Sequence, residues 1–238
     1  MASEPQGGGS WLTGWKGVAL AGLLGVLIGG GAMLASSGYL VRAYLLDHPE
    51  VLPEAMTRLH AKEAAEIVTA NREMIETPFA GAWAGVMDGD VTLVEFFDYA
   101  CGFCRKSNDD VDRLLKEDRK LKVVWREWPV LGEDSVAAAR ASLAAAQAGK
   151  FRAFHDALYA AGRPTPDAVA RAQAATGTGA ALSPDAAKAE LDRNYQLANA
   201  LRASGTPTWV VGNQVLQGAI GYDALKAAIA EARAQKNG

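Results

Sequence analysis

The chain has 238 residues, half of them hydrophobic, a formal net charge of −3 and two cysteines. A mild acidic excess with no Lys/Arg-rich run and no aromatic–basic stripe excludes nucleic acid as the expected partner. Two cysteines cannot staple a disulfide scaffold, and the length leaves room for one domain with its own core beside shorter segments.

In chain order, residues 1–16 read as a polar, Gly-rich, disordered tail. Residues 17–41 follow without a single charge. About 20 such residues, at 1.5 Å each, cross the hydrocarbon core of a bilayer. Trp11, Trp15 and Lys16 flank one end, and Tyr39, Arg42 and Tyr44 the other, as interfacial anchors do. The long, weakly basic lead and the absence of a clean A-x-A site favour an uncleaved signal anchor over a signal peptide. Ala35-Ser36-Ser37 leaves cleavage open as the alternative. Gly22, Gly25 and Gly29 fit either a close helix–helix face or simple tolerance of glycine in lipid.

Residues 42–78 read as a helical stalk. Pro49 and Pro53 mark helix entries, and Glu54 to Glu76 carries Met56, Leu59, Ile67, Ala70 and Met74 near one face, with Leu52 just before it. Glu63 and Glu66 interrupt a strict coiled-coil seam. A solvated stalk and a homo-oligomer formed through residues 45–76 fit equally. Thr77-Pro78 closes the helix, and Phe79 to Gly89 reads as a loop entering a domain over residues 79–238.

Within that domain, Val91 to Phe97 is apolar almost throughout, as a central strand covered on both faces should be. Leu121 to Glu127 is a second strand, and the polar helix between them makes a βαβ unit with a parallel pair. A helical insert spans about 134–204, broken at Gly149, Gly162-Arg163-Pro164, Gly177-Thr178-Gly179 and Ser183-Pro184. Thr208 to Val211 and Val215 to Gln217 are strands joined at Gly212-Asn213, and an amphipathic helix covers Tyr222 to Ala234.

Both cysteines stand in one motif, Cys101-Gly102-Phe103-Cys104, where the first strand hands over to a helix. That placement suits a reagent rather than a staple. Cys101 would meet the unpaired N–H groups and positive dipole end of the helix, which favour its thiolate. Cys104, one turn on, would lie deeper and resolve a mixed disulfide. A zinc site would need two more ligands, and His48, His60 and His155 form no close-spaced pair. Glu95 sits in the buried strand six residues before Cys101. An unpaired buried carboxyl should hold its proton more tightly and exchange it with Cys104; the alternative is an ion pair with Arg126 or Lys122. His155 reads as a helix cap or surface residue.

The order strand, C-x-x-C, helix, strand, helical insert, then Gly205-Thr206-Pro207-Thr208 before a hairpin and a helix resembles the DsbA-like branch of the thioredoxin superfamily. The resemblance covers Asp90 to Ala234. Phe96 to Cys104, Arg126-Glu127-Trp128-Pro129-Val130-Leu131-Gly132, Gly205 to Thr208 and the upstream Leu45-Leu46-Asp47-His48-Pro49-Glu50-Val51-Leu52 look most like the suppressor-of-copper-sensitivity (ScsC-like) type. It implies an α/β, thioredoxin-like fold with an inserted helical subdomain, here preceded by a transmembrane helix and a helical stalk. It implies that Cys101 and Cys104 form, reduce or isomerise disulfides by thiol–disulfide exchange, with no cofactor and no metal. Pro207 would be a cis-proline facing the pair beside Thr206, with Gly102, Phe103 and Gly205 meeting the substrate and Glu95 handling the proton. Phe103 stands where the strong oxidant of the family has histidine, so the thiolate should be less favoured and the site should lean toward isomerisation or reduction.

The expected setting is the inner membrane, crossed once, with the catalytic domain in the periplasm. The expected partners are exported proteins carrying thiols or disulfides and a membrane redox partner protein. The alternative, of a different class, is a copper-tolerance protein whose two thiolates hold Cu(I) without turnover.

Overall fold

Two seven-residue strands, Val91–Phe97 and Leu121–Glu127, form the centre of the sheet in this computed structural model. Residues 38–179 and 182–237 are described, with Ala19 alone before them. The expected tail and nearly all of the expected membrane segment therefore lie outside the described residues. Among the described residues no helix is long and apolar enough to cross a membrane.

The elements are α1 (Val51–Glu76), β1 (Trp83–Gly85), β2 (Val91–Phe97), α2 (Gly102–Glu117), β3 (Leu121–Glu127), α3 (Glu133–Gln147), α4 (Phe151–Ala161), α5 (Pro166–Thr176), α6 (Pro184–Ala200), β4 (Thr208–Val211), β5 (Gln214–Gln217) and α7 (Tyr222–Asn237). The chain divides into two units, residues 1–58 and 59–238. In the first, residues 38–47 are helical, and Tyr39, Leu40, Val41, Tyr44, Leu46, Leu52 and Met56 are exposed.

The second unit is built on a five-stranded sheet of order β1-β3-β2-β4-β5. β2 and β3 are parallel; every other pair is antiparallel. Side chains alternate across β2 and β3, so each face collects its own core. Leu93, Phe97, Val123 and Trp125 join Cys104, Phe151, Phe154 and Leu225 on one side. Val94, Phe96, Val124 and Val210 join Val68 and Ile75 of α1 and Leu197 and Leu201 of α6 on the other. Both faces are covered, which is why these strands are apolar nearly throughout. The last third of α1 is thus part of this unit's core.

Residues 79–89, expected as loop, contain the edge strand β1, paired antiparallel with β3. Three residues are too few to show a period of two. Gly85 is demanded there: its φ is +90°, and a Cβ would stand 2.2 Å from Leu121 O. In the insert, Thr165 and Ser183 accept from the N–H groups of Ala168 and Ala186, each 3.2 Å, ahead of a proline. Those caps start α5 and α6 where they do.

Candidate active site

Asp98-Tyr99-Ala100 follows β2 as a turn, and buried Asp98 organises the chain on either side of the cysteine pair. Its Oδ1 accepts from Ala100 N (2.7 Å), and its Oδ2 accepts from Val130 N (2.8 Å) and Leu131 N (2.9 Å). The turn before Cys101 is thereby tied to the loop after β3. Cys101 is the N-cap of α2, extended at φ −78° and ψ 116°, with no side-chain capping bond. Its Sγ faces the first turn's N–H groups. In its protonated form it donates to Thr206 O at 3.2 Å, a contact between residues 105 apart in sequence. The Thr206–Pro207 peptide is cis. Both cysteines are thiols here.

The two thiols have opposite electrostatics. The Cys104 thiol, donating to Cys101, is the largest cause that brings Cys101 down to about 5; the Thr206 side chain and the N–H groups of Cys104 and Phe103 add to it, against burial. Phe103 contributes its backbone alone, so the depressed thiol needs no imidazole at that position. Cys104 is fully buried, and burial first, then its bond to Cys101 and the Glu95 carboxyl, push it far above the ordinary thiol range. One sulfur is the readily ionised nucleophile, nearly buried at the mouth of the site; the other stays protonated until something takes its proton.

Glu95 lies in the same layer, wholly buried. Burial raises its carboxyl to about 8, the Cys101 thiolate adds to the rise, and a hydrogen bond from Trp125 opposes it. Neither expected cation is its partner: Lys122 donates to Glu76 O (3.1 Å), and Arg126 points to the other face of the sheet. Trp125 Nε1 donates to Glu95 Oε2 at 3.0 Å, the two residues standing opposite in the β2–β3 register. His155, expected at the surface or as a cap, is buried among Phe97, Tyr99, Trp125, Phe151 and Tyr159. Burial and Arg152 hold it neutral. Glu127 is a second buried carboxyl on this layer, and neither of its oxygens has a hydrogen-bond partner among the described residues. Burial first, then Asp98 and Glu95, raise it well above the usual carboxylate range; the nearby Ser142 hydroxyl, hydrogen-bonded to Tyr99, opposes this only in part.

At the mouth, Cys101 is 6% exposed while Phe103 is 67% exposed. A Cβ added at Gly102 or Gly205 would meet nothing within 4 Å, so neither glycine is imposed by crowding and both border open space. Val130 and Leu131, on the loop pinned by Asp98, also expose apolar side chains. Sequence reasoning brought together Cys101, Cys104, Glu95, Thr206 and Pro207, and missed Asp98, Trp125 and Glu127. Asp98 had a signal, a side chain two residues before the N–H it caps. Trp125 needed the strand register. Among the described residues no group of three or more His, Cys, Asp or Glu side chains is placed to hold a metal.

A family model described as a DSBA-like thioredoxin domain matches residues 92–230, more than half of the chain. The chain belongs to the DSBA-like thioredoxin family. A second model, the copper resistance protein ScsC N-terminal domain, matches residues 38–66 of this DsbA-like chain. Among solved structures, a linker-deletion mutant of Proteus mirabilis ScsC is similar at 26% identity and TM-score 0.72, over 82% of this chain and 92% of that one. A thioredoxin-like oxidoreductase from Silicibacter pomeroyi is 37% identical at TM-score 0.63, over 68% of this chain and 98% of that one. A periplasmic thioredoxin-like protein from Salmonella enterica serovar Typhimurium is 26% identical at TM-score 0.65, over 68% and 95%. Two curated Salinispora proteins named Na(+)/H(+) antiporters NhaA match at 36% over 78 residues and 30% over 161 residues. The chain spans only 12% and 24% of their lengths. The DsbA-like chain is thus a thiol–disulfide oxidoreductase by family, with a mixed-sheet thioredoxin-like fold.

Proposed function

We propose that the chain is a membrane-anchored thiol–disulfide oxidoreductase that forms, reduces or isomerises disulfides of exported proteins in the periplasm, the absence of a histidine at Phe103 leaning it toward the last two. The observation that carries it is geometric: Cys101 is the N-cap of α2, its Sγ 3.2 Å from Thr206 O beside the cis Thr206–Pro207 peptide, while Cys104 one turn on and Glu95 are wholly buried. The directions of the two thiols, Cys101 down and Cys104 up, agree with a nucleophile and a resolving partner. The Cys101 thiolate attacks a client disulfide, forming a mixed disulfide and expelling the client's second sulfur as thiolate. Glu95 takes the Cys104 proton. The Cys104 thiolate then attacks Cys101 Sγ, closing the Cys101–Cys104 disulfide and releasing the client's first sulfur. Two electrons pass from the pair to the client, and a membrane redox partner protein restores the dithiol.

Phe103, Gly102 and Gly205 form the rim that an extended client segment meets, and the apolar Val130 and Leu131 widen it. The uncharged run 17–41 and the periplasmic relative from Salmonella support the address. The exposed apolar residues between 39 and 59, with the match to the ScsC N-terminal domain, support self-association through residues 45–76.

A second reading comes from the copper-resistance description of that N-terminal family: two thiolates holding Cu(I). Metal binding requires both thiols deprotonated, and the burial of Cys104 opposes it. Insulin reduction and refolding of scrambled ribonuclease by the full chain separate the two. The oxidoreductase reading expects turnover that Cys101→Ser abolishes. An inactive wild type with tight, stoichiometric Cu(I) binding supports the copper reading instead.

A further inference from the structure

Glu95 is held by one atom of one residue. Trp125 Nε1 donates to Oε2, and Oε1 has no hydrogen-bond partner among the described residues. The indole has little freedom. Its ring lies 5.5 Å from Phe151 and 5.4 Å from His155, centroid to centroid, with the Arg152 guanidinium 5.4 Å over it. Arg152 is itself fixed by Asp112 and by Asp156 at 2.8 Å. The parallel register places Glu95 directly opposite Trp125, so N–H and carboxylate meet without a long flexible side chain between them.

The other titratable groups near Glu95 are Cys101 and Cys104 at the start of α2, Asp98 and Tyr99 after β2, Glu127 on β3, and Arg152, His155, Asp156 and Tyr159 on α4. β4 places Trp209 opposite Glu95. Arg152 is the one cation in this group, and its ion-pair partners are Asp112 and Asp156, not Glu95. A cation there would pull the carboxylate into a lasting ion pair. An indole N–H favours the ionised form without supplying a charge, and so leaves the proton free to come and go.

We propose that Trp125 is the positioning residue of the resolving step: its N–H anchors Glu95 Oε2, leaving Oε1 as the oxygen that exchanges the proton with Cys104, and keeps carboxylate available near neutral pH. The inference rests on the proton role of Glu95 in the proposed function. The step balances as Glu95 carboxylate plus Cys104 thiol giving Glu95 carboxylic acid plus Cys104 thiolate, which then attacks Cys101 Sγ. With the carboxyl near 8, roughly a tenth of Glu95 is ionised at pH 7, and losing the N–H reduces that fraction further.

The test loads Cys101 of the full chain with a chromophoric nitrothiobenzoate and monitors its release by Cys104 in a single turnover across pH. Wild type should accelerate with a midpoint at or somewhat below 8, because the Cys101 thiolate that adds to the rise is absent from the mixed disulfide. Trp125→Phe keeps the ring and removes the donor. It should raise the midpoint by about one pH unit, slow release about tenfold at pH 7, and recover the full rate at alkaline pH, which structural damage would not. Glu95→Gln should abolish the midpoint, and adding Trp125→Phe to it should change nothing further. An unmoved midpoint in Trp125→Phe, with Glu95→Gln still abolishing it, overturns the role of Trp125 and leaves that of Glu95 standing. A wild-type profile in Glu95→Gln overturns the Glu95 reading itself. Should Trp125→Phe not fold, the indole N–H NMR signal of Trp125 in wild type decides. It should titrate with the Glu95 midpoint and lose that titration in Glu95→Gln; a flat signal overturns the proposal.

Discussion

Consecutive residues of β3 face opposite sides of the sheet and treat buried charge in opposite ways. Toward α1 and α6, Arg126 is 3% exposed, and its guanidinium is fully engaged. It donates to Ile75 O (3.0 Å), Thr77 O (2.6 Å), Met74 O, Glu190 Oε1 (3.0 Å) and Asn194 Oδ1 (3.0 Å). Glu190 also holds Arg193 at 2.6 Å. The carbonyls that α1 leaves unpaired at its C-terminus find their donor here. Toward α2 and α4, Glu95 and Glu127 are as deeply buried but have no ion-pair partner among the described residues, the nearby Arg152 being paired with Asp112 and Asp156. A compensated buried charge fixes a helix to a sheet. An uncompensated one stores a proton, and it lies beside the reactive sulfurs.

The largest effect should separate the two faces by stability. Arg126→Leu leaves Glu190 buried with its main counter-charge gone and should cost about 3–5 kcal/mol in urea unfolding. A loss below about 1 kcal/mol would break the contrast. On the other face the sign reverses. The folded-state pKa of Glu95 is raised from 4.5 to about 8. Stability from its protonated form is therefore complete below pH 4.5 and is lost as pH rises toward 8. At pH 7 that loss is about 3 kcal/mol, so Glu95→Gln should be more stable than wild type by that order while resolving poorly, the difference vanishing toward pH 4.5. A variant that destabilises at every pH would contradict this.

Cys101 carries the opposite linkage. Its depressed pKa gives the reduced fold stability that is present above pH 9 and lost as pH falls through about 5. Unfolding of the dithiol form should show that slope, and Cys101→Ser should flatten it. The smallest effect is expected at the rim. Phe103→His adds a partly charged imidazole at an exposed position, and equilibrium with glutathione should move a few-fold toward the dithiol form. No shift would mean that the helix N-terminus and Cys104 alone set the thiolate.

Much of this was legible in the sequence because it depends on local pattern. The buried strand Val91–Phe97, the C-x-x-C after it, the breaks at Gly162 and Ser183-Pro184, and Thr206-Pro207 are each announced by neighbouring residues. The features that stayed hidden depend on contacts between distant segments. Nothing beside Trp125 says that its N–H meets Glu95 across a parallel register. Nothing beside Arg126 says that it faces the carbonyls ending α1. His155 stands between Phe154 and Asp156 with Arg152 a turn before it, a mixed setting that does not tell which helical face enters the aromatic core. β1 is too short and too dependent on its partner strand to carry a signal of its own.

The central claim, an activated Cys101 beside a silent Cys104, is tested most directly by titrating thiolate absorbance in the reduced full chain. One thiol should ionise with a midpoint near 5, and the second should remain protonated well past the ordinary value of 9. Two thiols ionising together near 9 would contradict the account.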